Sequence, residues 1–442
     1  MNAMKLLSFS LLGCLLFLAC QPQDSAPSEQ TSPNVILIMA DDMGYECLSS
    51  NGSLRYQTPR LDALAEQGLR FTHCISQPLC TPSRVKLMTG QRNYRNYEYF
   101  GYLNEQHPNI GQLMKQAGYA TAIVGKWQLN GLAFDLPGYQ DANRPHQMGF
   151  DEYCLWQLTQ PRKAGERFAN PLIEQNGELL PRDPDAYGPE VFADYALDFI
   201  ERKAASPFFL YFPMVLVHEP FVPTPDSEAW QDPDRRYEKD TAYFKDMVAY
   251  TDQIVGRIVD RLTELGIADN TLLIFTGDNG THPTISSPTT FGEIRGAKGN
   301  TIDAGTRVPL VMSWPEQIQQ AQLVEDLIEF GDFYATLAEL SGQIDTVDGK
   351  SFLGLLNGGS YEPRQTAFVH YDPQWGKRVN AFRNQFVRTQ EYKLYQDGRL
   401  FFLPNDPLEE APLDLEALSE SQRTVLALLQ EELATVPAFP AE

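Results

Sequence analysis

The chain has 442 residues, with 35 Lys plus Arg against 58 Asp plus Glu, a formal net charge of −23. Its 43% apolar and 21% charged residues are ordinary globular composition, which excludes a disordered chain, a collagen-like repeat and a coiled coil. The acidic balance argues against a nucleic-acid partner, whose usual counterpart is a basic face.

Met1 to Ala19 holds one basic residue, Lys5, followed by the apolar run Leu6 to Ala19. That run is short for a membrane span and reads as a secretory signal. Cys20 follows, then a Pro-, Ser- and Gln-rich stretch to Ser32 that reads as a flexible tether over residues 20–32. The arrangement resembles a bacterial lipoprotein signal, in which the cysteine is lipidated; an ordinary cleaved signal is the alternative. Either predicts export to the periplasm or cell surface of a bacterium, and the first limits membrane contact to a lipid anchor at Cys20. Four cysteines remain, Cys47, Cys74, Cys80 and Cys154, with no CxxC zinc spacing.

In the body, five apolar runs predict buried parallel strands: Asn34 to Ala40, Tyr119 to Val124, Phe208 to Met214, Thr271 to Thr276 and Val308 to Ser313. Helices are predicted between them. Thr58-Pro59 to Gly68 has an N-cap, a Pro at the first helical position and a terminal Gly; Asn109 to Ala117 ends at Gly118; Tyr243 to Leu265 aligns Met247, Tyr250, Ile254, Ile258, Leu262 and Leu265 on one face. Alternation of this kind predicts an α/β fold, a large mostly parallel sheet with helices on both faces, over residues 33–342. From 343 to 442 the pattern becomes that of a smaller α+β subdomain. Short antiparallel strands surround the Asp397-Gly398 turn, and a closing helix runs from Glu416 to Val436.

Chemistry-bearing residues stand just beyond the strand ends: Asp41-Asp42, Lys126, His218 and Asp278-Asn279. In a parallel sheet ligands gather at the carboxyl ends of strands. An Asp-Asp pair after one strand is commonly a cap or a solvated turn. Three carboxylates and an amide brought to one edge repel unless a cation lies between them, and an all-oxygen set selects Ca²⁺ or Mg²⁺ over zinc.

The string Cys80-Thr81-Pro82-Ser83-Arg84, continuing to Thr89-Gly90, resembles the signature of the formylglycine-dependent sulfatases. In that family a separate maturation enzyme oxidises the cysteine to formylglycine. Further motifs are similar to the family's, in its order: Gly125-Lys126-Trp127, His218 before Pro220, Thr276 to Gly280, Arg295 to Gly299 and Gly305 to Pro309. The tail resembles it as well, at Val387-Arg388-Thr389, Tyr392-Lys393-Leu394 and Asn405-Asp406-Pro407. The resemblance implies an alkaline-phosphatase-like fold and hydrolysis of sulfate esters. One hydroxyl of the hydrated aldehyde attacks sulfur and expels the alcohol; the other loses its proton, and collapse releases sulfate and regenerates the aldehyde. It also implies a cation, Ca²⁺ with Mg²⁺ as the alternative, held by Asp41, Asp42, Asp278, Asn279 and residue 80. Lys126 and Lys298 are implied as fixed charges on the sulfate oxygens, Arg84 as a support for residue 80, and His218 and Lys298 as proton donors to the leaving oxygen.

One position departs from the pattern. The family commonly has histidine two residues after the strand lysine, whereas this chain has Gln128, which can hydrogen-bond residue 80 but cannot relay a proton at neutral pH. His282 could substitute for it or contact substrate. For specificity, His73, Arg144, His146, His282, Arg295, His370, Trp375 and Arg378 are read as lying in loops that could line a pocket, with Trp375 placed to stack on a sugar. An exported enzyme of this kind predicts a sulfated polysaccharide or its oligosaccharides as substrate. Two other readings stay open at this level: a phosphonate or phosphate diester hydrolase of the same superfamily, and a surface glycan-binding protein without catalysis.

Overall fold

A computed structural model describes residues 32–160, 166–343 and 346–438, apart from the side chains of Lys377 and Arg378. The signal segment, Cys20 and the tether as far as Thr31 lie outside the described residues. In chain order the strands are β1 (Asn34–Ala40), β2 (Leu69–Ile75), β3 (Ala120–Lys126), β4 (Glu152–Trp156), β5 (Ile173–Gln175), β6 (Glu178–Leu179), β7 (Phe208–Pro213) and β8 (Thr271–Gly277). There follow β9 (Ser286–Thr289), β10 (Gly292–Arg295), β11 (Arg307–Ser313), β12 (Gln322–Glu329), β13 (Ala367–Tyr371), β14 (Asn384–Arg388), β15 (Tyr392–Tyr395) and β16 (Leu400–Phe402).

Ten strands form one sheet in the order β12-β2-β11-β8-β1-β7-β3-β4-β5-β6. Its centre, β8-β1-β7-β3-β4, is parallel throughout. Continuous apolar runs are what such strands require, because both faces are covered. In β1 the alternation is direct: Ile36, Ile38 and Ala40 enter one core, and Val35, Leu37 and Met39 enter the other. The helices Gly188–Lys203 and Tyr243–Glu264 supply buried side chains to the first core, and Gly331–Leu340 to the second.

One expectation is corrected. The run Val308 to Ser313 lies in β11, which is antiparallel to both β8 and β2. An apolar run records burial on two faces but not direction. After β8 the chain stays at the carboxyl edge through the β9–β10 hairpin, so β11 starts there and runs back.

The small sheet has the order β13-β14-β15-β16, all antiparallel. One face, with Val369, Phe386, Tyr395 and Phe401, packs in a cluster with Leu79 and Cys80. The other packs Phe368, Val387 and Leu394 with Leu429 of the helix Glu420–Ala434. That helix begins with a capping box in which Ser419 and Gln422 exchange side-chain and backbone hydrogen bonds. No helix among the described residues is long and apolar enough to cross a membrane.

Candidate active site

Strand register brings the site together. Ala40 pairs with Gly277, Met39 with Pro213 and Ile123 with Tyr211, so β1, β8, β7 and β3 end level with one another. Asp41-Asp42 follows β1, Asp278-Asn279 follows β8, and Lys126 closes β3. Gly125 sits at φ +111°, and a Cβ there would lie 2.2 Å from the Pro213 carbonyl oxygen, so only glycine lets β3 turn its terminal lysine inward. His218 follows β7 in a loop tied to β1: the Asp41 N–H donates to Leu216 O (2.7 Å), and the Val217 N–H to Asp41 O (2.7 Å).

Cys80 opens the buried helix Cys80–Thr89, with Leu79 at its N-cap. The neighbouring signature residues build this corner. Pro82 stands in the first turn, where a missing N–H costs nothing. The Ser83 hydroxyl accepts from the Gln77 N–H (3.0 Å) and lies 2.9 Å from Leu79 O, tying the approach loop to the helix. The Thr81 hydroxyl accepts from the Gly101 N–H (3.1 Å). A helix N-terminus also favours negative charge, which suits an anionic ligand at residue 80.

Asp41, Asp42, Asp278 and Asn279 are fully buried, as is Lys126. Lys126 Nζ donates to both Asp41 oxygens (2.8 and 2.6 Å). Arg84 donates from Nε and Nη2 to Asp278 Oδ2 (3.2 and 2.8 Å) and from Nη1 to Lys126 O (2.9 Å). It was expected to hold residue 80; with a thiol there, its donors go to the stronger acceptor, a carboxylate. Lys298 Nζ donates to Asp42 Oδ2 (2.6 Å) and to His218 Nε2 (2.9 Å). The loop carrying Lys298 is pinned on two sides, by Lys298 N–H to Thr281 O (3.0 Å) and Gly299 N–H to Pro78 O (2.7 Å).

These contacts assign the His218 tautomer. Its Nδ1 is 2.6 Å from the Glu219 carbonyl, which can only accept, so Nδ1 carries the proton and Nε2 offers its lone pair to the Lys298 ammonium. Burial pushes the imidazole well below its usual range, and Arg167, Lys298 and Lys126 push the same way, so the ring is neutral at pH 7. For Lys298, burial works against the ammonium, but Asp42, Cys80 and Asp41 outweigh it and the net shift is upward. Burial raises the Cys80 thiol.

The carboxylates show what the centre lacks. Burial, then the nearby Asp41 charge, lifts Asp278 to about 7 despite Arg84 and Lys126. Burial also acts to raise Asp41, but four cations led by Lys126 leave it lowered. Asn279 Nδ2 donates to Asp42 Oδ1 and to Gly280 O (2.9 Å each), which fixes the amide orientation. Its Oδ1 is left buried and accepts no hydrogen bond among the described residues. A buried amide oxygen without a donor is costly and uncommon in a folded protein. Asp41, Cys80 and Asp278 present ligand atoms within 4.8 Å of one another. Donor set and orphan oxygen together fit a hard cation.

A cavity of about 340 Å³ opens over this centre, lined by Leu79, Cys80, Phe100, Gln128, His218, Glu219, His282, Pro283, Lys298, Trp375, Gly376 and Val379. Gln128 Oε1 stands 3.6 Å from Cys80 Sγ. Trp375 stacks on Phe100, ring centroids 4.4 Å apart at 14°. Sequence reasoning missed Arg167 and Glu219. Arg167 lies 3.7 Å from Asp41 Oδ2 with its guanidinium 4.3 Å above the Trp156 ring, and no motif marks it.

Other expected pocket residues lie elsewhere: a position between strands does not set a side chain's direction, and His73 and His370 lie within strands, not loops. Arg144 is buried against Tyr102 and donates to the carbonyls of Leu103 and Pro137. His146 Nδ1 bonds Phe150 O (2.8 Å). His370 is on β13 with Nδ1 3.1 Å from Gln385 Oε1, and His73 is on β2 beside Thr72. Arg295 is exposed, its Nε donating to Pro283 O (3.1 Å), outside the lining. The Arg378 side chain lies outside the described residues.

Comparison with known proteins agrees with this geometry. The sulfatase family model matches residues 33–343, and the model for the C-terminal part of N-sulphoglucosamine sulphohydrolase matches residues 298–436. The chain is 32% identical to N-acetylgalactosamine-6-sulfatase of Mus musculus, over 98% of this chain and 91% of that one. It is 28% identical to N-acetylgalactosamine-6-O-sulfatase of Bacteroides thetaiotaomicron, over 82% and 84%. It superposes with a TM-score of 0.73 on a solved structure in complex with its substrate D-glucosamine-2-N,6-O-disulfate, which is 21% identical and shares 91% of this chain and 97% of that one. The chain belongs to the sulfatase family and is a sulfuric ester hydrolase.

Proposed function

We propose that the protein hydrolyses sulfate esters on a sulfated oligosaccharide or polysaccharide, using formylglycine made from Cys80 by a maturation enzyme. The carrying observation is the meeting of three buried carboxylates, the undonated Asn279 Oδ1 and Cys80 beneath one cavity. Asp41, Asp42, Asp278, Asn279 Oδ1 and residue 80 would hold a divalent cation, Ca²⁺ or Mg²⁺. When bound, it supplies Lewis acidity toward the attacking hydroxyl and a sulfate oxygen.

The chain's own residues do the rest. Lys126 and Lys298 are positive charges fixed in advance where the sulfate oxygens develop charge. Lys298 carries the proton suited to the departing alcohol, and neutral His218 holds that ammonium through Nε2. Gln128 Oε1 accepts a hydrogen bond from residue 80 and orients it. Export with a lipid anchor at Cys20 completes the reading, placing the enzyme where polymers too large to enter the cell are met.

The test is sulfate release across a panel of sulfated glycans by matured protein, beside a phosphodiester series. Wild type should release sulfate, and Cys80→Ala should lose about 10⁴-fold or more, as removal of a covalent nucleophile does. Faster turnover of phosphodiesters, or an unmodified Cys80 thiol in protein from the native host, would contradict the proposal.

A further inference from the structure

Beyond the catalytic centre, the cavity lining has an uneven charge. Among the described lining residues other than Lys298, Glu219 alone carries a formal charge, and it is negative. A carboxylate in the pocket of an enzyme whose substrate is an anion calls for an explanation. Its side chain is 53% exposed, against 19% for His282, whose Nε2 stands 3.4 Å from Glu219 Oε2. His282 is set for that contact. The Thr284 N–H lies 3.3 Å from its Nδ1, so Nδ1 accepts and the proton sits on Nε2, facing Glu219. An edge contact with Phe221, centroids 5.8 Å apart, holds the ring. The remaining lining includes Leu79, Phe100, Pro283, Trp375 and Val379, and Phe100 fixes the plane of the Trp375 indole.

We infer that Glu219, held by His282, makes this site selective for a singly sulfated, otherwise neutral sugar ring. The inference rests on the sulfatase reading above. A carboxylate accepts hydrogen bonds from hydroxyl or amide groups of the ring, while the apolar lining takes its C–H face. A second sulfate or a uronate carboxylate on the same ring would face like charge in a cavity partly shielded from water, and rejection of this kind is how sites discriminate. Among the described side chains Arg295 does not offset it, being directed at the Pro283 carbonyl outside the lining; those of Lys377 and Arg378 lie outside the described residues.

The test compares kcat/KM on monosulfated neutral sugars with their disulfated or uronate-bearing counterparts, for matured wild type and Glu219→Gln. Wild type should prefer the singly charged member by about 10- to 100-fold. Glu219→Gln, which keeps hydrogen-bonding capacity without charge, should narrow that ratio several-fold, chiefly by improving the doubly charged member. Affinity for the same pairs, measured by calorimetry on Cys80→Ala protein with and without Glu219→Gln, should show the same preference and the same narrowing. Equal or faster turnover of disulfated sugars by wild type, or a ratio unmoved by Glu219→Gln, would overturn the inference. If no sulfate were released in any arm, the sulfatase reading would fall, while the calorimetric ratio would still decide the role of Glu219.

Discussion

Two of the places where the chain buries charge are finished differently. At the junction between the small sheet and the Lys298 loop, Glu409 Oε1 accepts from Lys393 Nζ and from the Asp303 N–H (2.9 Å each), and Oε2 accepts from the Tyr395 hydroxyl (2.5 Å). Lys393 also reaches Thr301 O, and Arg388 pairs with Asp303 while donating to the carbonyls of Thr389 and Gln390. Each carboxylate oxygen of Glu409 has a donor. At the end of the large sheet, by contrast, three carboxylates crowd together, one of them raised to about 7 by burial and by its neighbour, and the Asn279 amide oxygen meets no donor. Glu409 and Lys393 are buried, as are Asp41, Asp42 and Asp278. The closed cluster is architecture, holding the loop on which Lys298 stands; the open one is where a ligand completes the structure.

Substitutions should separate the two. After loss of Cys80 itself, the largest effect on turnover is expected from Asp278→Asn, which removes a proposed cation ligand and the partner of Arg84. Sulfate release should fall by about 10²–10³-fold, on the scale of losing one charge-stabilising group. Chelation should lower the melting temperature of wild type, since a bound ion stabilises by about 2.7 kcal/mol at a hundred times its Kd, but leave Asp278→Asn unmoved. If the variant kept wild-type turnover, the open cluster would be structural after all.

Lys393→Met should act in the opposite sense. Leaving Glu409 buried without its cation should cost about 3–5 kcal/mol in urea unfolding, and Lys393→Met combined with Glu409→Leu should recover part of it. A loss below about 1 kcal/mol would remove the distinction drawn between the clusters.

Acid should also find the closed cluster. Burial pushes the Asp303 carboxyl up, but Arg388 and Arg307 outweigh it and the net shift is downward. A carboxyl depressed in the folded state contributes stability above its unfolded value, about 3.9, and loses it as pH falls further. Stability measured from pH 6 to pH 2 should therefore drop below about pH 4 in wild type, and drop less steeply in Asp303→Asn. Parallel curves would contradict the assignment. The smallest effect belongs to Gln128→Ala: loss of one hydrogen bond to residue 80 should lower kcat about tenfold, with KM little changed.

The carboxyl-edge site was legible because short apolar runs end at Asp41, Lys126 and Asp278, and because the Cys80 string is distinctive. The sheet was less legible. β2 reads LRFTHCI and β12 QLVEDLIE, with polar residues at partly covered positions, so neither stands out as a buried run. The direction of β11 depends on how the chain returns from the carboxyl edge, which local pattern does not encode. Arg167 follows no strand end and belongs to no motif, and Glu219 lies between His218 and Pro220 without being marked by them; the importance of both comes from what folds against them. Arg144 and His370 err the other way, polar residues whose bonds turn out to be internal.

The most direct test of the account is sulfate release by matured protein before chelation, after it, and after Ca²⁺ or Mg²⁺ is restored, with metal content followed by elemental analysis. The account predicts loss of at least about 10²-fold on chelation and recovery with either cation. Undiminished release from protein verified as metal-free would contradict it.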